Sequence, residues 1–286
     1  MSIETPVIET LGQHTCCGGS LRVLKHNSDV LGVPATFSIF LPKEALVGQK
    51  VPVIHVLAGL TGNHETFLIK SNAIRFAAEH GIALVAPDTS PRDTGTPGED
   101  DAYDLGSGAG FYVDATAEPW SRHYRMESYI HRELPALTEK LFPLDGDRRG
   151  IMGHSMGGMG TLVQALRYPE FWKTVSAFAP ICHPSVIPWG QKAFDAYFGG
   201  DPSKWRDCDP TLLLRNGHKH PATILVDQGL RDQYLTDLRV DALVDAAKES
   251  GQALEMRHHD AYDHSYWFIQ TFIADHLTHH AKGLKA

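Results

Sequence analysis

The fold is decided by one stretch, residues 148–160, which reads RRGIMGHSMGGMG. A short apolar run leads into a G-x-S-x-G turn, and a helical pattern follows it. The motif is typical of a sharp strand-to-helix turn whose serine, Ser155, has a strained backbone, while Gly153 and Gly157 prevent collisions with neighbouring backbone. We predict that the turn lifts the Ser155 hydroxyl clear of a sheet as a nucleophile. The N–H of Met156, at the helix start, would then favour developing negative charge.

A glycine-rich loop can reproduce this motif by chance, so its interpretation depends on the surrounding elements. Strands are predicted at residues 21–25, 34–41, 51–57, 82–86, 174–179, 223–227 and 253–257, and helices at residues 72–80, 124–141, 156–168, 237–250 and 265–279. Pro135 must kink the second of these helices or mark a joint in it. The order predicts an α/β fold with a mainly parallel, doubly wound sheet and an antiparallel N-terminal start.

Length and composition limit the classes of function. With 286 residues, 42% of them hydrophobic, the chain can bury one large core, and we expect a single domain over residues 1–286. The net charge of -8 argues against a large basic surface for nucleic acid or an anionic membrane. Residues 1–7 have no signal or anchor pattern, and no apolar run approaches membrane-spanning length. Four cysteines without C-x-x-C spacing favour a reduced, cytoplasmic protein.

A metal site is not expected, although the chain contains 17 histidines. Adjacent pairs such as His258-His259 and His279-His280 point in different directions on a strand or helix. The sequence also has no H-E-x-x-H spacing. We therefore predict neither a metal nor an organic cofactor.

A second backbone donor is predicted in the loop that follows residues 51–57. This strand is apolar almost throughout, as expected when both faces are covered, and it runs into AGLTGN at residues 58–63. The two glycines permit close approach of the backbone, so the N–H of Leu60 is the candidate donor. Considered without Ser155, the same loop could equally be a plain strand exit.

Ser155, Asp232 and His264 follow the order nucleophile, acid, histidine of a Ser-His-Asp triad. Each comes just after a predicted strand, as Leu60 does, and ligand sites of parallel sheets lie beyond the carboxyl ends of strands. Asp227 is expected to end its own strand, whereas Asp232 in the following loop can turn towards a histidine. The alternative for Asp232 is an ordinary turn or helix-start aspartate.

The histidine region leaves an alternative open. His264 could belong to the start of the final helix, with His258 or His259 as the base instead. Asp260 and Asp263 are too close in sequence to His264 to orient its ring easily.

The long segment 89–117 is rich in Gly, Pro, Asp, Ser and Thr, and loops of this length are usually functional or disordered. Its aromatic residues, including Tyr103, indicate that it packs beside the site. Local composition makes Trp189 and Lys192 candidate substrate-binding residues. The alternative for Lys192 is a solvated helix lysine.

Several strings, in the same order along nearly the whole chain, resemble one family. They are CGG at 17–19, LT at 60–61, GAGFYVDAT at 108–116, YRM at 124–126, GHSMGG at 153–158, PWGQKAF at 188–194, DQG at 227–229 and YDHSY at 262–266. On these strings the chain resembles the esterase D family of S-formylglutathione hydrolases, within the α/β-hydrolase superfamily. The GAGFYVDAT and YDHSY strings are far more specific than the serine turn.

The resemblance implies an α/β-hydrolase fold and a cytoplasmic thioesterase and carboxylesterase activity. The reaction is cleavage of S-formylglutathione to glutathione and formate, the last hydrolytic step of glutathione-dependent formaldehyde detoxification. Ser155 is assigned as nucleophile, Asp232 as acid and His264 as base, with the N–H groups of Leu60 and Met156 as oxyanion hole. Acyl transfer then passes through an acyl-enzyme without a cofactor. The implied partner is a small-molecule glutathione thioester, and the resemblance favours a homodimer.

The sequence departs from the family pattern at four positions. Gly62 stands where many members have cysteine, so sensitivity to thiol reagents is not expected there. His183, Ile187 and Glu127 replace an asparagine, a cysteine and an aromatic residue. The acyl-group preference stays open, because one methylene in a pocket changes discrimination by only ~1 to 3 kcal/mol. A general small-acyl carboxylesterase, an acyltransferase and a non-catalytic binding protein are the alternatives.

Overall fold

A mixed sheet of nine strands forms the centre of the computed structural model, which describes residues 8–285. The strands are β1 (Ile8–Cys16), β2 (Gly19–Asn27), β3 (Pro34–Leu41), β4 (Val51–Leu57), β5 (Ala83–Pro87), β6 (Leu144–His154), β7 (Thr174–Phe178), β8 (Ile224–Gly229) and β9 (Leu254–His259). Across the sheet their order is β1-β2-β3-β5-β4-β6-β7-β8-β9. Residues 1–7, for which the sequence predicts neither a secretory signal nor an anchor, lie outside the described residues.

The pairing of the strands confirms the predicted fold class. β1, β2, β3 and β5 pair antiparallel in that order, and each pairing from β5 through β4 to β9 is parallel. The sequence does not predict β1, because polar and exposed residues dominate this edge strand. A two-residue turn, Cys17-Gly18, joins β1 to β2 with positive φ at both positions.

Helices occupy most connections between the strands. The α-helices are α1 (Lys43–Leu46), α2 (Thr66–Lys70), α3 (Ala73–His80), α4 (Met126–Ser128), α5 (Leu134–Leu141), α6 (Met156–Arg167), α7 (Pro188–Phe198), α8 (Pro210–Arg215), α9 (Leu235–Leu238), α10 (Val240–Ser250) and α11 (Tyr266–Lys285). A π-helix covers Tyr129–Glu133, and two 3-10 helices cover Pro184–Val186 and Pro202–Cys208. α11 packs on α3, while α8 packs on α6 and α10, so two helix groups cover the sheet.

The helix predicted at residues 124–141 is divided in the structure into α4, the π-helix and α5. Pro135 has no N–H to bond to the carbonyl of His131, so the regular hydrogen-bond pattern cannot pass through it. The widened π-turn lies directly before this proline. The expected kink is therefore a local change of helix type.

Two later helices also differ from the prediction. The helix expected at residues 237–250 is interrupted at Arg239, which has φ of 55°. The Leu238 carbonyl accepts the Cys182 N–H at 2.8 Å instead of continuing the helix. α11 extends beyond the predicted end because His280, a polar residue in sequence, is fully buried and continues the packed face.

A buried ion pair joins β8 to β9. Asp227 is fully buried and accepts two hydrogen bonds from the Arg257 guanidinium, each of 2.6 Å. His259 Nε2 and His276 Nε2 lie 3.3 Å from Asp227 Oδ2. Burial alone would raise the pKa of Asp227, but contacts with His276 and Arg257 outweigh it and lower the pKa to about 2. Asp227 therefore stabilises the fold in its ionised form.

Asp227→Asn is expected to lower the free energy of unfolding by about 2 to 3 kcal/mol at pH 7, because Arg257 loses its buried carboxylate partner. The pKa of Asp227 is lower in the folded protein than in the unfolded chain, so its contribution is complete above about pH 4. It is lost as the pH falls towards about 2. Urea unfolding at several pH values measures the difference. Asp275→Asn is the matched control, since exposed Asp275 binds the same Arg257 and should contribute under about 1 kcal/mol. Equal stability of wild type and Asp227→Asn at pH 7 would contradict this role.

Candidate active site

Ser155 occupies the turn between β6 and α6 with φ of 59° and ψ of -119°. A Cβ atom on Gly153 would lie 2.2 Å from Gly157 O, and one on Gly157 would lie 2.1 Å from Leu57 O. Only glycine permits so close an approach of backbone, which confirms the sequence argument for both positions. The Ser155 N–H donates to Phe178 O at 3.0 Å, so the strained turn is fastened to β7.

The side chains of Ser155, His264 and Asp232 form one hydrogen-bonded chain. His264 Nε2 lies 2.9 Å from Ser155 Oγ, and His264 Nδ1 lies 2.6 Å from Asp232 Oδ2. A carboxylate only accepts hydrogen bonds, so Nδ1 carries the proton and Nε2 can accept from the serine hydroxyl. The three residues follow β6, β9 and β8 respectively, as the sequence predicts. This arrangement can transfer the serine proton to His264.

Asp232 is held from two further sides. Its Oδ1 accepts the Tyr234 N–H at 2.8 Å, and its Oδ2 also accepts Gln228 Nε2 at 3.1 Å. Asp232 is therefore both a turn aspartate and the partner of His264. The two interpretations from the sequence, a triad acid and an ordinary turn aspartate, hold together. Asp227 is bound to Arg257 instead.

The alternative bases do not contact Ser155. His259 lies beside Asp227, and His258 lines a separate cleft. Asp263 accepts hydrogen bonds from the N–H and the hydroxyl of Ser265 at the start of α11. Within residues 8–285, His264 is the histidine that reaches the serine hydroxyl.

Two backbone donors lie close to Ser155. A Cβ atom on Gly59 would lie 3.1 Å from Ser155 Cβ, so the loop after β4 touches the serine. The Leu60 N–H has no backbone acceptor among residues 8–285. Met156 is the first residue of α6, where an N–H has no partner within the helix. Both predicted donors are therefore available to an oxygen beside Ser155.

Contacts from outside hold the loop after β4, residues 58–62, which contains the predicted donor Leu60. Thr61 has φ of 64°, which is strained for a β-branched residue, and its N–H donates to Gly108 O at 2.9 Å. The Gly62 carbonyl accepts from Thr89 Oγ1 at 2.7 Å and from Arg92 Nη2 at 2.9 Å. These partners come from the long segment after β5, which packs beside the site as predicted.

A cleft of about 410 Å³ opens at Ser155, within the ~300–1,000 Å³ that is typical of small-molecule sites. Trp189 lies in its wall and packs edge-on against Tyr234, which packs in the same way against His264. Lys192, the other candidate from the sequence, is outside the lining and forms an ion pair with Asp104. The structure thus brings Trp189, but not Lys192, to the site.

Three residues at the site are not singled out by sequence reasoning. Gln228 and His154 lie inside the DQG and GHSMGG strings, so these family strings could have identified both as site residues. His154 packs 4.6 Å from the His264 ring, and burial, followed by the charge of His264, lowers its pKa well below the usual value. Lys70 belongs to none of the strings, and only the fold places it in the cleft wall.

Two structural facts bear on the kind of site. From Ile8 to Lys285, no three His, Cys, Asp or Glu side chains are grouped as metal ligands would be. Over the same residues, no helix has both the length and the apolar character needed to cross a bilayer. Independence of a cofactor stays a prediction.

The chain is similar to known proteins along nearly its full length. The family model "Putative esterase" matches residues 28–279. S-formylglutathione hydrolase of Paracoccus denitrificans is 48% identical over 280 residues, which cover 98% of this chain and 99% of the relative. The Rattus norvegicus S-formylglutathione hydrolase is 45% identical over 281 residues, with the same two coverages of 98% and 99%. The solved structure of an S-formylglutathione hydrolase from Agrobacterium tumefaciens has a TM-score of 0.94 and 43% identity, covering 96% of this chain and 99% of that chain.

Proposed function

The chain belongs to the S-formylglutathione hydrolase family, and we propose that it hydrolyses S-formylglutathione to glutathione and formate in formaldehyde detoxification. The observation that carries the proposal is the chain of contacts from Ser155 Oγ through His264 to Asp232, of 2.9 and 2.6 Å, at the base of the cleft. Relatives that are 45% and 48% identical support the substrate, because both are named for it.

In the first step, His264 Nε2 takes the proton of Ser155 while the serine oxygen attacks the formyl carbon. Asp232 holds the imidazole tautomer and stabilises the imidazolium that forms. The N–H groups of Leu60 and Met156 bind the oxyanion, each contributing roughly 3 kcal/mol in comparable sites. The C–S bond then breaks, and His264 returns its proton to the glutathione thiolate.

In the second step, the formyl group is attached to Ser155 as an ester. His264 takes a proton from water as the water oxygen attacks the formyl carbon. The same two N–H groups hold the second oxyanion. The ester bond breaks, Ser155 recovers its proton from His264, and the formic acid that leaves releases its proton to water to give formate. We propose this cycle without a metal or organic cofactor.

The acyl preference depends on the four departures from the family pattern. Gly62 lines the cleft, and the other three positions are outside the lining. His183 and Ile187 are buried, while Glu127 pairs with Arg167. We therefore propose that a difference in acyl preference from cysteine-containing members arises at Gly62.

Three further properties belong to the proposal. They are a single domain over residues 1–286, a cytoplasmic location and a homodimeric state. The family resemblance supports the last two. The continuous nine-stranded sheet, which runs from β1 to β9 within the described residues, supports the first.

Rates measured side by side on S-formylglutathione, S-lactoylglutathione and p-nitrophenyl acetate test the proposal. We expect kcat/KM for S-formylglutathione to exceed that for p-nitrophenyl acetate by about 100-fold or more, because the aryl ester lacks the glutathione contacts. S-lactoylglutathione should be slower by about 10-fold or more, since its acyl group is larger.

Other outcomes would replace the proposal. Equal or faster turnover of p-nitrophenyl acetate would indicate a general carboxylesterase. Ester product in excess of hydrolysis, with an added alcohol, would indicate an acyltransferase. Absence of turnover together with failure of a fluorophosphonate to label Ser155 would indicate a binding protein.

A further inference from the structure

We propose that Lys70 binds the glycyl carboxylate of the glutathione thioester and is a specificity-determining residue of this site. The inference rests on the proposed function. It concerns the end of the substrate that does not react. It replaces Lys192, the cation that local composition suggests, with a cation that the fold places in the cleft.

The charge of the cleft wall singles out Lys70. Among the described residues, Lys70 is the lining side chain with a permanent charge, and neither aspartate nor glutamate lines the cleft. Much of the remaining wall is aromatic, formed by Tyr103, Trp189, Tyr234 and Tyr266. A wall of this kind binds an anionic group of the ligand at one defined point and apolar parts of the ligand elsewhere.

Lys70 is also available for a ligand. Within the described residues, no carboxylate lies within 4.0 Å of its Nζ. Lys192, in contrast, is neutralised by Asp104. Using Lys192 for a substrate would require this ion pair to break, whereas Lys70 has to lose only water.

Packing anchors the backbone of Lys70 beside the cleft, while its side chain is exposed. Its Nζ lies over the ring of Tyr266, 5.7 Å from the centroid. That ring is fixed edge-on between Phe67 and His154, at centroid distances of 6.0 and 5.4 Å. The Lys70 carbonyl accepts Gln270 Nε2 at 2.6 Å, which ties the end of α2 to α11. The backbone of Lys70 is thus anchored, and its ammonium has an aromatic support beside the cleft.

The charges of the substrate indicate which carboxylate is bound. Glutathione has a glycyl carboxylate with no neighbouring charge and a γ-glutamyl carboxylate beside an ammonium group. A lysine is attracted by the first and is repelled by the ammonium next to the second. The chain as a whole has a net charge of -8, so a local cation is needed to offset long-range repulsion of an anionic substrate.

The test combines a variant of the enzyme with a variant of the substrate. Lys70→Met removes the charge but keeps the length of the side chain. The substrates are S-formylglutathione, its analogue with the glycyl carboxylate converted to an amide, and the neutral ester p-nitrophenyl acetate. For Lys70→Met on S-formylglutathione we expect KM to rise about 10-fold with kcat nearly unchanged, because a contact made equally before and during reaction is lost.

The controls separate this contact from a structural effect. Lys70→Met should change the KM for p-nitrophenyl acetate far less than the KM for S-formylglutathione, and Lys70→Arg should recover most of the affinity for S-formylglutathione. The amide analogue should show a raised KM with wild type and no further rise with Lys70→Met, since lysine and carboxylate act as a pair. Lys173→Met, on a lysine outside the cleft lining, should behave as wild type. Salt from about 0.05 to 0.5 M should weaken wild-type binding but not binding to Lys70→Met.

Two results would overturn the inference while the proposed function stands. One is an unchanged KM of Lys70→Met on S-formylglutathione, with wild type active on that substrate. The other is a raised KM for Lys192→Met alone, which would return the role to Lys192. Failure of wild type to hydrolyse S-formylglutathione would instead remove the proposed function itself.

Discussion

Ser155→Ala is expected to lower kcat on S-formylglutathione by about 10⁵-fold or more, while the protein stays folded. The substitution removes the oxygen that attacks the formyl carbon, and no other hydroxyl is bonded to His264 Nε2 in the described residues. The lost side-chain oxygen makes only this hydrogen bond among the described residues, so the free energy of unfolding should change by about 1 kcal/mol or less. Steady-state kinetics and thermal unfolding of the purified variant measure the two effects.

Covalent labelling provides an independent control for this variant. A fluorophosphonate should label wild type at Ser155 and leave Ser155→Ala unlabelled. Ser121→Ala changes a serine that bonds to Glu118 outside the cleft lining, and it should retain both labelling and turnover. Near-full activity of Ser155→Ala would refute the assignment of the nucleophile.

Asp232→Asn is expected to lower kcat by about 10⁴-fold, with a smaller effect on stability. Asp232 accepts the Tyr234 N–H on one oxygen, and His264 Nδ1 and Gln228 Nε2 on the other. An asparagine has a single acceptor oxygen, so the N–H donors on one side of the side chain would face an NH₂ group, which cannot accept a hydrogen bond. The amide also cannot stabilise the imidazolium by its charge. Kinetics on S-formylglutathione measure the effect.

Asp227→Asn is the matched control for Asp232→Asn. Asp227 lies in β8 and Asp232 in the loop directly after it, but Asp227 is bound to Arg257 instead of His264. Below its unfolding temperature, Asp227→Asn should keep a kcat close to that of wild type. A loss of kcat as large as that of Asp232→Asn would contradict the division of roles between the two aspartates.

The sequence predicts the sheet well where a strand is covered on both faces. β3 and β4 have the predicted bounds, because their apolar patterns are short, rich in β-branched and aromatic residues and bounded by proline or glycine. β1 is missed because an exposed edge strand needs no apolar face. The interruption at Arg239 is missed because it depends on Cys182, which is distant in sequence.

The candidate site is predictable to a similar degree. The sequence predicts Ser155, Asp232 and His264, because the turn motif and the order of the strands can both be recognised from it. Gln228 requires knowledge of which way a side chain points after β8. Lys70 requires the packing of α2 against α11, which local composition does not contain. Composition suggests Lys192 instead, because it cannot show that Asp104 already binds it.

Thr89 and Arg92 bind the main-chain carbonyl of position 62, a group that every amino acid provides. A Cβ atom at position 62 would lie 2.9 Å from Gly59 O and 3.0 Å from Ala58 Cβ, so a side chain there requires the loop to shift locally. Substitution at Gly62 therefore changes the cleft wall and the turn beside it together, although it keeps the carbonyl that Thr89 and Arg92 bind.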